Sequence, residues 1–401
     1  MVEEDKFDFQ VNLGKIKVLN LIRDEGEITR AEIIKKTKLS APTVTRIIEN
    51  LSQLNLIKTD SLGSSIGGRP PQLVQFNAKD NYVIGIDIDG NFIRAVLSNL
   101  AGEFIFEIHV PNNFKQGFDE VMDQVGGLIE KLSARASQKK LILRGIGIAV
   151  SGMVNKNSGI VEYSPIFDWK NVDIPKALSR YTDLKIAIGN VVNLVALGEL
   201  LYGVGKKFSN FICINVGYGI GSGIIIDGKL FFGADGIAGE IGHIVVDRNS
   251  KRKGSEGIYG TIEALSSGYA IADMAKELAQ FEIDSVLNIM DFPKIDAKSV
   301  FIAAKNGDHL SQKIIDTATG YLSIGIDTLI KLFNTECVVI YGELIEYDNS
   351  LIDNINNNLK QYAMNALNRT VPMLSSSFGE NAALMGSFSL ILEKILQLEI
   401  Q

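Results

Sequence analysis

VIGIDIDGNFIRAVLSNLAGEFIFEIHV, residues 83–110, is the stretch on which the fold turns. Its apolar runs are broken at Asp89-Gly90 and Ala101-Gly102, so it reads as three consecutive strands joined by tight turns. Working outward, a helix is predicted over 118–138, then a strand (LRGIGIAV, 143–150) and a loop at Ser151-Gly152. A further strand (KIAIGN, 185–190) feeds a helix (VNLVALGELLYG, 192–203). The pattern then restarts with the hairpin FICINVGYGIGSGIIIDGKLFFG (211–233), a mostly helical region (262–334), a late strand (CVVIYGE, 337–343) and a closing α/β stretch. A β-meander followed by alternating helices and strands, given twice, describes an α/β body of two lobes. The divisions that follow are 1–78, 79–190 and 191–401, the last carrying a helical region suited to dimerisation.

Residues 1–78 read differently. Leu13, Ile16, Leu19 and Ile22 form one helical stripe, which Gly26 ends in a GEITR turn. A second helix runs over 30–37, with Thr29 as N-cap and Glu32 three residues on, the capping-box spacing. A third opens at Ser40-Ala41-Pro42, buries Val44, Ile47, Ile48, Leu51 and Leu54, and presents Thr43, Thr45 and Arg46 on its other face. A DNA major groove admits such a helix when its first residues are short and an Arg reaches a base or phosphate. After it, residues 54–77 read as strand, glycine-rich tip and strand, with Arg69 at the tip for a minor groove. The segment is thus a winged helix-turn-helix; a three-helix protein-binding module is the competing reading.

Composition agrees. Residues 10–76 hold ten basic and six acidic residues, while residues 77–401 hold 29 and 37. A basic head on an acidic body suits a polyanionic partner. Two cysteines, Cys213 and Cys337, and three histidines exclude a disulfide framework, a multi-thiolate metal site or a histidine cluster. No window offers the apolar run of a membrane span, and residues 1–10 are acidic rather than signal-like, so the chain reads as soluble and cytoplasmic.

The motifs of the body resemble one family. GADGIAGEIGH (233–243) resembles the sugar-pocket segment of the ROK family (repressors, open reading frames, kinases). GIDIDGNFIRAVL (85–97) and GYGIGSGIIIDGKL (217–230) resemble its two phosphate loops, and NVVNLVALGELLYGVG (190–205) the helix that carries its catalytic residue. GIDTLIKLFNTECVVIYGE (325–343) and GENAALMGSFSL (379–390) resemble its late elements. The resemblance implies a two-lobed actin-like ATPase (ribonuclease-H-like) body behind the winged helix-turn-helix, the arrangement of the family's N-acetylglucosamine- and xylose-type repressors.

Departures from the kinase pattern bear on chemistry. Where the family's kinases hold an Asp as general base, this chain has Val191 within Gly189-Asn190-Val191-Val192-Asn193, and the next carboxylate is Glu199. Loss of a general base costs on the order of 10²–10⁴ in rate. Asp89 and Glu343 stand where the phosphate and adenosine loops carry glycine, which adds charge and bulk. The family's zinc cysteines are replaced by Gly254, Glu256 and Thr261, so no structural zinc is expected and the loop 247–260 must be held otherwise or be mobile. Asn190, Glu240, His243 and Glu263 keep the positions that the resemblance assigns to sugar hydroxyls, although each alone also suits a buried structural polar group. Pro165-Ile166-Phe167, followed by Trp169, would alter which sugar fits or close part of the pocket.

The expectation is a sugar-responsive regulator, most simply a repressor. It binds double-stranded operator DNA through Thr43, Thr45, Arg46 and Arg69, uses no cofactor, and pairs as a homodimer or homotetramer. The alternatives are an active hexose kinase with an appended head and a scaffold that has kept the fold.

Overall fold

The computed structural model describes residues 14–15, 17–59, 72–155, 158–234, 236–362 and 370–398. In the head, a helix through residues 17–25 buries Val18, Leu19 and Ile22; Leu13 and Ile16 of the expected stripe lie outside the described residues. The helix Arg30–Thr37 starts on the capping box, with Thr29 N donating to Glu32 at 2.9 Å and Glu32 N to Thr29 at 3.3 Å. The helix Ala41–Gln53 is capped by Ser40 and buries Val44, Ile47, Ile48 and Leu51. The GEITR segment corrects the sequence reading. Beyond Gly26, Glu27–Thr29 is a strand rather than a turn, and it pairs antiparallel with Leu73–Phe76 in the register Ile28↔Val74. Three residues carry too little alternation to announce a strand; pairing, with Ile28 buried, makes it one. Leu73–Phe76 also pairs with Ile57–Lys58, giving a three-stranded sheet.

Both lobes use one strand plan. In the first, the meander Asn81–Ile88, Phe92–Asn99 and Phe104–Pro111 extends to one side of its opening strand. Ile142–Val150 and Ile186–Asn190 add in parallel on the other side. In the second, Phe211–Val216, Ile220–Ile226 and Lys229–Leu230 form the meander, and Cys337–Tyr341 and Met373–Ser375 add in parallel. Each sheet therefore has the spatial order third, second, first, fourth, fifth, the ribonuclease-H-like order of a two-lobed actin-like body. Helix Phe118–Gln138 covers the first sheet, and Gly268–Ala279, Ala297–Lys305 and His309–Phe333 pack about the second.

Two helices link these parts. Val191–Tyr202 leaves the last strand of the first sheet and packs on the second-lobe hairpin. The closing helix Ala382–Leu398 comes back from the second lobe to lie on the first sheet and across Val191–Tyr202. At that crossing only glycine fits, because a Cβ on Gly386 would stand 2.1 Å from the Leu194 carbonyl oxygen. One continuous apolar cluster joins Leu19, Ile22 and Val44 of the head, Val83, Val96 and Leu100 of the first sheet, and Leu384, Phe388 and Ile391 of the closing helix.

Candidate effector cavity and DNA-binding head

The recognition helix begins where its cap sets it. Ser40 Oγ accepts from Thr43 N at 3.3 Å and lies 2.7 Å from Thr43 Oγ1, so the Thr43 hydroxyl is tied into the first turn. Thr45 is half-buried and Arg46 exposed one position on. Arg69 and the wing tip, residues 67–70, lie outside the described residues.

Between the lobes lies a cavity of 170 Å³. The first lobe supplies Ser151–Met153, Tyr163, Pro165 and Ile166, and the second the hairpin residues Gly219–Ser222 and the segment Ala238–Glu240 with His243. The start of the helix Val191–Tyr202 forms a further wall. Asn190, Glu240, His243 and Glu263, separated by up to 73 positions in sequence, all line this one space.

Their surroundings differ. Asn190 is the N-cap: its Oδ1 accepts from Val192 N (2.9 Å) and Asn193 N (3.2 Å), and its Nδ2 donates to the Gly152 carbonyl at 2.8 Å. It thereby ties the helix start to the first-lobe loop. Glu263 is buried, and its Oε1 accepts from Ser255 N at 3.1 Å and from the Tyr269 hydroxyl at 3.4 Å. Glu240 and His243 face one another, with 3.6 Å between carboxylate oxygen and Nε2. Burial, with Glu263 and Glu256 nearby, pushes the Glu240 carboxyl above its ordinary range against the pull of His243. His243 Nδ1 is buried without a hydrogen-bond partner among the described residues. Glu240 is aimed inward by Gly239, whose φ of 94° and carbonyl bonds to Ser222 N (3.0 Å) and Ser222 Oγ (2.7 Å) leave no room for a side chain.

Val191, the first residue of its helix, also lines the cavity. Glu199 does not: it is fully buried, with Oε1 accepting from Ser376 Oγ (2.6 Å) and Ser377 N (2.8 Å) and Oε2 from Val204 N (2.9 Å). It fastens the helix to the loop that precedes the closing helix. At the foot of the cleft, burial together with repulsion from Asp89 raises the Asp87 carboxyl to about 7. Glu343 is raised by burial and, in part, by the same Asp89.

Two expectations about the walls are refined. Pro165 and Ile166 line the cavity, but Phe167 and Trp169 do not: they stack at 4.5 Å in the first-lobe core, where Phe114 and Phe118 meet them edge-on. The segment 247–260 is held by its own bonds and by two neighbouring helices. Val246 N donates to Gly260 at 2.9 Å, Gly254 N to Ile258 at 2.9 Å, and the Tyr321 hydroxyl to Asp247 at 3.1 Å, while Arg252 pairs with Glu277. Its fold brings Glu256 to the cavity wall, a placement that no periodicity in the sequence signals.

The ROK family profile matches residues 83–394, and a winged helix-turn-helix DNA-binding profile matches residues 15–58. The chain belongs to the ROK family and, with its winged head, is a DNA-binding transcriptional regulator of that family. It is 30% identical over 385 residues to a xylose repressor of Caldicellulosiruptor bescii, covering 96% of each chain. To the regulator NagC of Escherichia coli it is 26% identical over 392 residues, 97% of this chain and 94% of that one. Among solved structures, a ROK family transcriptional regulator described as a homologue of the E. coli Mlc protein superposes with a TM-score of 0.84. The identity there is 25%, over 96% of this chain and 98% of the other. No helix among the described residues is long and apolar enough to cross a membrane.

Proposed function

We propose that the chain represses transcription from an operator and that a sugar bound between the lobes controls its grip. The head reads DNA with Thr43, Thr45 and Arg46, assisted by Arg69. Asn190 positions the cavity wall, while Glu240, His243 and Glu263 take the sugar's hydroxyls. The body senses sugar and does not phosphorylate it. The observation that carries this reading is that four residues from three separate segments line one cavity in which Val191 offers no base. Asp89 and Glu343 also place carboxylates where the family's phosphate and adenosine loops carry glycine.

Pairing of two heads on a palindromic site requires a body that dimerises. The exposed side chains of Phe281, Ile283, Ile289 and Phe292 on the second lobe supply apolar surface for a second copy. Operator binding followed by fluorescence anisotropy, with and without sugars, tests the reading. Arg46→Ala is expected to weaken binding and Glu240→Ala to abolish the sugar response alone. Turnover of any hexose with ATP in a coupled assay refutes the sensor assignment, and a monomer in sedimentation that binds a half-site as tightly as the full site refutes the pairing.

A further inference from the structure

We propose that the helix Val191–Tyr202 carries the state of the cavity to the DNA-binding head, and that Tyr202 and Lys206 hand it on to Arg23 and Asp24. This rests on the sugar-sensing reading above and adds the route by which a bound sugar changes operator affinity.

The helix belongs to neither sheet, yet it touches both the cavity and the head. At its start, Asn190, Val191, Val192 and Asn193 line the cavity. Twelve residues, at about 1.5 Å each, carry it roughly 18 Å from there. At its end the Tyr202 ring lies under the Arg23 guanidinium, 4.9 Å from the ring centroid, and the Tyr202 hydroxyl donates to the Leu100 carbonyl at 3.2 Å. In the short turn that follows, Lys206 lies 3.3 Å from Asp24. Arg23 and Asp24 stand in the last turn of the head's first helix.

The cavity end has no slack. A Cβ on Gly223 would stand 2.7 Å from the Val192 carbonyl oxygen and 2.8 Å from the Ala196 Cβ, so the helix lies flush on the hairpin strand Ile220–Ile226. That strand also holds the backbone ahead of Glu240, through the bonds from Ser222 to Gly239. A ligand that draws on Glu240 therefore draws on the strand, and the strand bears on the helix. Packing this close passes a shift on rather than absorbing it. Glu199, its buried carboxylate held by Ser376, Ser377 and Val204, fixes the last turn.

The head end is built to change. The Arg23 side chain is nine-tenths buried, and its Nη1 has no hydrogen-bond partner among the described residues. A buried donor left unpaired is costly, so a small shift of Tyr202 that brings Nη1 to an acceptor is favoured. Asp24 is already shared: it accepts from Arg23 Nε and faces Lys206, each at 3.3 Å. Exposed ion pairs of this kind exchange with water at little net cost. The strand Ile142–Val150 also runs between head and cavity, since Arg144 donates to the Leu54 carbonyl and Ser151 lines the cavity. That strand is laced on both sides, to Asn81–Ile88 and Ile186–Asn190, and moves only with its whole lobe.

Operator duplexes selected from random DNA by the full chain, with D-xylose, D-glucose and N-acetyl-D-glucosamine as probes, test the route. In the wild type, the sugar that gives heat in calorimetry is expected to shift operator affinity about 5- to 150-fold, and the operator to shift sugar affinity by the same factor. Tyr202→Leu combined with Lys206→Ala is expected to lose most of both shifts, while each ligand offered alone binds with wild-type affinity. Lys206→Ala with Asp24→Asn serves if the first pair does not fold. Arg144→Ala, which cuts the strand's contact with the head, is expected to keep the full shift. A joint variant that retains the wild-type shift, or an Arg144→Ala chain that loses it, overturns the proposal and leaves sugar sensing standing. So does a joint variant that binds sugar alone more weakly, because its residues are then structural. A wild type whose operator affinity none of the three sugars changes overturns both.

Discussion

The head meets the first lobe and the first lobe meets the second through junctions of opposite character. At the first, Val18, Leu19 and Ile22 share one apolar core with Val83, Val96, Phe388 and Ile391. Polar contacts rivet its edge: Arg23 lies 4.9 Å over the Tyr202 ring, Lys206 is 3.3 Å from Asp24, and Arg144 donates to the Leu54 carbonyl at 2.8 Å. At the second junction, away from the helix crossing at Gly386, the facing surfaces enclose a cavity that mixes glycines, carboxylates and amides with Met153, Pro165, Ile166 and Val191. Close-packed hydrocarbon resists displacement, whereas a polar cleft exchanges its contacts with water at little net cost. The head is therefore fastened to the first sheet, to the closing helix and to the end of the helix Val191–Tyr202, whereas the cleft holds an open cavity.

The largest test breaks the first junction. Phe388→Ala removes a fully buried ring from the shared core and is expected to cost about 3–5 kcal/mol. Denaturant unfolding followed both at the head and at Trp169 should show one coincident transition shifted together. A head transition that stays in place while Trp169 shifts contradicts a common core.

The second junction is expected to show itself in pH dependence. Because burial raises the Asp87 carboxyl to about 7 from 3.8, the folded chain retains a proton that the unfolded chain has released in the window between those values. Stability contributed by this group is present below that window and is lost as pH rises through it. Asp87→Asn should flatten this part of the profile of thermal midpoint against pH. An unchanged slope would mean that the cleft carboxylates ionise freely.

Within the cleft, Gly239→Ala forces a side chain toward the Ser222 carbonyl, 2.1 Å away, and should weaken the sugar response while operator affinity without sugar is kept. The smallest effect is expected at Arg23→Ala. It removes a cation from the Tyr202 ring, worth about 0.5–1 kcal/mol, and should reduce the sugar-induced change in operator affinity with sugar affinity unaltered. Calorimetry and anisotropy on the same preparations separate these two cases.

Most elements were legible because the relevant patterns are local. Helix Phe118–Gln138 and the capping box of Arg30–Thr37 follow from spacing, and the meander from alternating apolar runs cut by Gly turns. Glu27–Thr29 escaped because three residues acquire strand character only from a partner strand 44 to 48 positions away. The cavity was legible only through motifs, since no periodicity relates Asn190 to Glu240 or Glu263. Apolar pattern marked Phe388 and Ile22 as buried but could not say that they are buried in the same core. It likewise could not tell Ile166, which lines the cavity, from Phe167, which turns into the lobe.

The return of Ala382–Leu398 to the first sheet has a bearing on synthesis. Strand Ile186–Asn190 completes that sheet, yet the helix that fills its far face and meets the head begins 192 residues later. At translation rates of about 5–20 residues per second, the head and first lobe spend roughly 10–40 s with that face uncovered. Such long-range closure is slow and leaves apolar surface open to chaperones or to other nascent chains. A chain arrested within the second lobe would thus present a recognition helix without its full support. The core beneath the recognition helix is complete only once translation has reached the closing helix.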